Sequence, residues 1–318
     1  MPKKMTAQEY NDSKQSDIVT KILKVMDEGK LPWRKPWVGV EYQNPLTRAP
    51  YRGMNPIHLS IDVASCGYTT PLFMGAQQAK SWGWHPAKGS KATWIKQGMS
   101  DRTDEDGKEV KRFFTKWVAV FNLDVLTEGN DPVHSIASIR EQFDPKPGDS
   151  AAQLPLVEAF IAAQPVSTQF IGDRACYSPS SDRILMPDRG SFFDLTSFYA
   201  TWLHEHGHST GHSSRLDRDM YGSFGTTSYA YEELIAELCA TLTCEHLGIA
   251  PDVENHASYL ASWLERLKND RSYFFSALKQ AQQASRFMIQ NFEAQANPLP
   301  TAEAIAEPPS VHVPCEVC

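Results

Sequence analysis

The sequence is short of several things, and each shortage closes off a class of protein. It has 6 cysteines in 318 residues, too few and too scattered for a disulfide framework, so free thiols in a reducing compartment are expected. No apolar run approaches the roughly 18–20 residues that span a bilayer, which argues against a membrane partner. The opening "MPKKMTAQEYNDSKQSD" has a small basic start and no apolar stretch behind it, so it does not read as a secretory signal. A cytoplasmic location is the expectation. Internal repeats are missing as well.

An overall basic charge is also lacking, since 31 Lys and Arg stand against 38 Asp and Glu. The deficit is uneven. Residues 1–125 carry 19 basic against 13 acidic side chains, whereas the remainder carries 12 against 25. Six of the 8 tryptophans (Trp33, Trp37, Trp82, Trp84, Trp94 and Trp117) fall in the basic part. Asymmetry of this kind points to a polyanion partner for one half of the chain.

Periodicity divides the chain in the same place. Ile18, Ile22, Val25 and Met26 predict a helix over 16–29, with Ser16 as N-cap and Gly29 as stop. Short helices are predicted at 56–67 and 71–82. "KATWIKQG" and "RFFTKWVAVFNLDVL" read as two strands, with Trp117 on an apolar face and so in the core. Residues 126–153 lose periodicity and gain Pro, Gly and Asp, which reads as a linker. Beyond it come a helix at 154–164, two strands around "SPSSD", and a helix from about 196 to 210 capped by Asp194 or Thr196. Further helices follow at about 229–247, 256–269 and 271–292. The expected class is α+β with two domains: a mixed domain over 1–125 and a mainly helical domain with a small sheet over 154–293. The stretch 294–318 reads as a disordered tail.

The strongest chemical signal is "HEHGHSTGH", residues 204–212. His204 and His208 are four apart and share one helix face, with Glu205 beside them. His-Glu-x-x-His is the spacing in which two imidazoles bind zinc and the glutamate acts as general base toward a water of lowered pKa. His206 points the other way. A third ligand is needed. The extended pattern H-E-x-x-H-x-x-G-x-x-H is matched at Gly211, but Ser214 occupies its last histidine position. The alternative is a glutamate from the next helix, and "YEELIAELCA" supplies one. Glu233 is read as third ligand and Glu237 as the acid behind a ligand histidine. The exchange of these two roles stays open, with Glu232 behind both. Zn²⁺ is the expected metal, with Mn²⁺ or Co²⁺ as other possible occupants. "RILMP", just before the helix, is read as an edge strand for an extended peptide.

In the basic half, "PWRKPW", "TRAPYRG" and "SWGWHPAKGSKATW" interleave aromatic rings with positive charge, as a single-stranded nucleic-acid groove does. The candidates for DNA contact are Trp33, Arg34, Lys35, Trp37, Arg52, Trp84, Lys88 and Lys91.

Read in order, "PWRKPW", "YRGMN", "KGSKATWIK", "VFNLD", "YSPSSDRILMP", "LHEHGHSTGHSSRLDRD" and "YAYEELIAEL" resemble the ArdC-type antirestriction proteins of conjugative plasmids. The resemblance implies an N-terminal domain that binds single-stranded DNA and a C-terminal zincin-like metallopeptidase domain. It also implies a cytoplasmic role in protecting incoming plasmid DNA from host restriction. Two residues depart from the pattern: His206 stands where an apolar side chain is usual, and Gly207 lies inside the metal helix, at a cost of about 1 kcal/mol relative to Ala.

Overall fold

The structure is a computed structural model that describes residues 5–33, 40–100, 113–143, 154–220, 227–250 and 257–296. The first helix, α1 (Ala7–Asp27), begins well before Ser16. Thr6 and Glu9 cap it reciprocally: Thr6 Oγ1 accepts from Glu9 N at 3.2 Å, and the Glu9 carboxylate accepts from Thr6 N at 2.7 Å. Its buried stripe is Ile18, Val19, Ile22, Val25 and Met26. Next comes α2 (Asn55–Cys66). The helix predicted over 71–82 is divided: β1 (Phe73–Met74) comes first and only α3 (Ala76–Ser81) is helical, because Pro71 and Gly75 interrupt it. Then follow β2 (Trp84–Pro86), β3 (Thr93–Ser100), β4 (Phe113–Asn122), β5 (Leu126–Glu128) and α4 (Ile136–Phe143).

β3 and β4 pair antiparallel from Thr93↔Val120 to Ser100↔Phe113, and β1 lies on the other side of β4. β2 pairs with β5. The expected linker over 126–153 therefore needs correcting. Its first residues form β5, and α4 packs Ile136, Ile139 and Phe143 against Leu72, Met74, Trp82 and Trp84. Three apolar residues at i, i+3 and i+7 were hidden in a polar, turn-rich stretch. The remainder, 144–153, lies outside the described residues; of the expected tail over 294–318, residues 294–296 are helical and the rest lies outside the described residues.

The second half opens with α5 (Leu154–Ala162), β6 (Ser167–Phe170), β7 (Cys176–Ser178) and β8 (Arg183–Met186). In the order β6-β8-β7, β8 is central, parallel to β6 and antiparallel to β7. "RILMP" is thus not an edge, and its unbroken apolar run suits a strand flanked on both sides. Four helices complete the chain: α6 (Leu195–Ser209), α7 (Thr227–Leu247), α8 (Ala257–Asn269) and α9 (Ser272–Ala296). Asp194 caps α6 by accepting from Ser197 N at 2.8 Å. α7 is buried on every side over Leu234–Ala240, so it forms the axis around which α6, α8 and α9 pack.

The largest apolar cluster does not respect the division seen in the sequence. It runs from Ile18, Ile22 and Met26 of α1 and Ile57 and Ile61 of α2 into α6–α9. Trp33 joins it, fully buried, with its ring 6.1 Å from Trp263 and 6.0 Å from Phe274. No helix among the described residues is long and apolar enough to cross a membrane.

Candidate metal centre

α6 and α7 lie side by side, and the sequence lets them approach closely at Gly207. A Cβ there would meet Ala236 O at 3.3 Å and Ala236 Cα at 3.4 Å. The glycine that weakens the helix as an isolated segment is what lets α7 bring its carboxylates to the histidines. The Nε2 atoms of His204 and His208 are 3.1 Å apart. Glu233 places Oε2 3.5 Å from His204 Nε2 and Oε1 3.5 Å from His208 Nε2. An ion bound to N and O donors at about 2.0–2.1 Å in tetrahedral geometry needs those donors about 3.3 Å apart. These residues fit such an ion. His204, Glu205, His208 and Glu233 are all under a tenth exposed.

The charge balance agrees. Burial opposes a charged imidazole at His208, yet Glu233 and Glu232 beside it raise its pKa well above the ordinary histidine value. Burial likewise opposes ionisation of Glu233, but His208 and His204 hold its carboxyl well below the usual carboxylate range. The cluster therefore draws positive charge to this point. A proton on His208 is one way to supply it; a divalent ion, which needs the neutral ring, is the other.

The other two glutamates stand behind the rings. Glu237 Oε2 is 3.9 Å from His204 Nδ1, and its Oε1 accepts from the Trp33 indole N–H at 3.3 Å. Glu232 accepts from His208 Nδ1 at 3.2 Å. The second contact was missed in the sequence, as were two arginines in "SSRLDRD". Arg215 donates to Ser209 O at 2.6 Å and pairs with Asp182 in the β7–β8 turn. Arg218 pairs with Glu232 at 2.6 Å. Basic residues just past a helix carrying ligand histidines were the available signal, because the last carbonyls of that helix need donors.

His206 faces away from the ligands. It lines a cavity of about 610 Å³ with Ile161, Val166, Phe170, Phe198 and Trp202, and burial lowers its pKa to about 3, with Arg215 adding to the effect.

The DNA-contact candidates disperse. Trp33 and Trp84 are buried, the latter donating its indole N–H to His134 O at 2.8 Å, so neither ring has a face free for a base. Both corrections share a cause: turn composition shows which residues neighbour a ring, but not whether the turn folds back onto the core. Arg52, Lys88 and Lys91 are exposed, and Arg52 pairs with Glu41. Arg34, Lys35 and Trp37 lie outside the described residues. Trp117, expected in the core, is only partly buried and donates to Asn11 Oδ1 at 3.1 Å.

A helix bearing His-Glu-x-x-His with a glutamate arriving from the next helix defines the zincin-like metallopeptidase class, and residues 155–280 match that family. Residues 12–121 match the N-terminal domain of anti-restriction factor ArdC. Two crystal structures of the antirestriction ArdC protein from plasmid R388, one metal-free and one Mn(II)-bound, superpose with a TM-score of 0.65 at 32% identity. They cover 88% and 87% of this chain, and 97% of each solved chain is matched. The chain belongs to the ArdC antirestriction family. It is also 30% identical over 296 residues to the uncharacterized protein y4eC of Sinorhizobium fredii, covering 93% of it. Two DNA primases TraC of Escherichia coli are 33% and 31% identical over 288 and 316 residues, but this chain spans only 19% and 28% of their lengths.

Proposed function

We propose that the protein is an antirestriction factor that protects incoming plasmid DNA by binding it as a single strand and carries a zinc-dependent peptidase site. The observation that carries the second part is the convergence of His204, His208 and Glu233 on one point. These three residues would hold the ion. Zn²⁺ suits two imidazoles and a carboxylate, and the Mn(II)-bound relative supports a divalent ion of this general kind. When bound, such an ion supplies Lewis acidity and lowers the pKa of water. Glu205, one residue along α6 from His204, is the carboxylate that takes a proton from the nucleophile and returns it to the leaving amine. With β8 in the middle of its sheet, β7 replaces it as the edge along which an extended peptide would lie. β7 packs against α6, the helix that carries Glu205.

For DNA, the reading moves from the buried tryptophans to the partly exposed rings of α1, β3 and β4. Lys14 Nζ lies 3.7 Å from the Trp94 ring centroid and 5.0 Å from that of Tyr10, and Lys96 Nζ lies 5.0 Å from Trp117. Partly exposed rings with ammonium groups over them offer both stacking faces and phosphate contacts, and Arg52, Lys88 and Lys91 extend the charge. We place the division between the two modules within 144–153, and the site of action in the cytoplasm, where restriction enzymes meet incoming DNA.

One observation favours a second reading. The site is so enclosed, 4–9% exposed at His204, Glu205, His208 and Glu233, that the metal can be structural and the protein a non-catalytic coat on DNA. Glu205→Gln separates the two. The variant should keep its metal and fold while losing peptide hydrolysis. If it protects DNA from a restriction endonuclease as well as the parent does, protection is by coating. If the parent itself cleaves no peptide, the metal is structural.

A further inference from the structure

We propose that Arg218 decides which of two adjacent glutamates becomes the metal ligand, and that through Glu232 it fixes the ring of His208; the proposal rests on the metal-site reading above. Glu232 and Glu233 are neighbours near the start of α7, equally buried at 6% exposed. Each has an oxygen near a nitrogen of the same ring: Glu232 Oε1 is 3.2 Å from His208 Nδ1, and Glu233 Oε1 is 3.5 Å from Nε2. Glu233 also reaches His204 Nε2, at 3.5 Å, but charge and burial do not separate the two.

Arg218 does. Its Nε donates to Glu232 Oε2 at 2.9 Å and its Nη2 to Oε1 at 2.6 Å, a two-pronged pairing of fork with carboxylate. The other side of the guanidinium is anchored on the end of α6, with Nη1 donating to Thr210 Oγ1 at 2.7 Å and Nη2 to Gly207 O at 2.9 Å. Gly211 makes room for this crossing. A Cβ at 211 would stand 3.0 Å from Arg218 Nη2 and 2.6 Å from Met220 Sδ.

Two consequences follow. Both oxygens of Glu232 are engaged and its charge is matched, so it is a poor ligand and cannot rotate toward the ion; Glu233 keeps its charge for that purpose. The remaining acceptor capacity of Glu232 Oε1 meets the Nδ1–H of His208. That contact selects the tautomer whose Nε2 lone pair faces His204 and Glu233. Arg218 and Glu232 are positioning residues: neither touches the ion or a substrate.

Titration of the full chain with Co²⁺, followed by visible absorption alongside thermal unfolding, tests this. The parent should bind with the intense band of a four-coordinate ion. Arg218→Gln lets Glu232 leave His208 Nδ1, so affinity should fall about 10–100-fold as the ring loses its partner, and the band should weaken as the freed carboxylate reaches the ion. Adding Glu232→Gln to that variant should restore the parent band shape, since an amide still accepts from Nδ1–H but does not compete as a ligand. A folded Arg218→Gln variant with parent affinity and parent band overturns the proposal. If Arg218→Gln does not fold, Glu232→Ala carries the test: it should cost the same 10–100-fold, and unchanged affinity overturns the proposal equally. Absence of Co²⁺ binding by the parent is a distinct result; it removes the metal-site reading and this inference with it.

Discussion

Between α6 and α7, six acidic or imidazole side chains (His204, Glu205, His208, Glu232, Glu233 and Glu237) are each under a tenth exposed, and Arg218 brings a permanent positive charge to them. Along α1, β3 and β4 the arrangement is reversed. There Lys14 and Lys96 lie over the rings of Trp94 and Trp117, and the side chains are at least partly open to water. On the proposed function each region has a partner of opposite charge, under different constraints. Buried carboxylates beyond the reach of solvent must be matched inside the protein, so the first region needs a compact dication or bound protons. The lysines of the second region are only partly buried and still reach water, although burial lowers the pKa of Lys96, so a surface of the proposed kind would gain by exchanging small counterions for a polyanion and would tolerate its absence. One site should be tight and intolerant of substitution, the other graded and salt-dependent.

The largest effect that could break this contrast is on metal. His208→Ala removes a ligand itself and should cost more than the ~100-fold that loss of an outer partner costs, as read by isothermal titration with Zn²⁺. A loss no greater than that of an outer-partner variant would mean that the imidazole is not in the ligand set. Next in size is a paired comparison of tryptophans. Trp33→Ala empties a site between Trp263 and Phe274 and takes the indole N–H from Glu237, so it should lower stability by about 3–5 kcal/mol in denaturant unfolding. Trp94→Ala, at a partly exposed ring, should cost far less in stability and instead weaken single-stranded DNA binding in a filter assay. Lys14→Ala should flatten the salt dependence of that binding. If Trp33→Ala proves the more damaging to DNA affinity at unchanged stability, the surface proposed for DNA is in the wrong place.

The same contrast governs what could be read before the fold was known. The histidine pair, the glutamate between them and the acids of the following helix were legible because four-residue spacing places side chains on one face whatever surrounds the helix. A cap at Asp194 or Thr196 and two strands within 91–98 and 112–126 were legible for similarly local reasons. The linker, the central position of β8 and the burial of Trp33 and Trp84 were not, because each depends on a segment returning to a distant part of the chain. Trp33 meets Glu237 across 204 positions. Arg218 and Glu232 fall between the two cases: both stood in quoted motifs, but only the crossing at Gly211 brings them together. Thr6 and Glu9 were a plain capping pair overlooked because the first turns of α1 are polar.

The smallest effect is one of acid, and it sharpens the comparison because the two regions move in opposite directions. His58 on α2 is 2% exposed, its ring 5.5 Å from that of Trp117, and burial lowers its pKa to about 3, with Lys96 pushing the same way. His208, among carboxylates, is raised. Below the unfolded pKa of 6.5 the unfolded chain takes up a proton at His58 that the folded chain refuses. The stability held by the neutral ring is complete above 6.5 and is lost progressively as the pH falls from there through about 3. At pH 5 the loss is at most about 2 kcal/mol. His58→Leu cannot titrate, so the difference in unfolding free energy between parent and variant should shift in the variant's favour by up to that amount between pH 7.5 and 5. Excess chelator keeps metal release out of both curves, and His208 titrates equally in both and cancels. A gap that stays constant over this range would mean that the His58 ring is solvated, and that α2 does not pack on Trp117 as described.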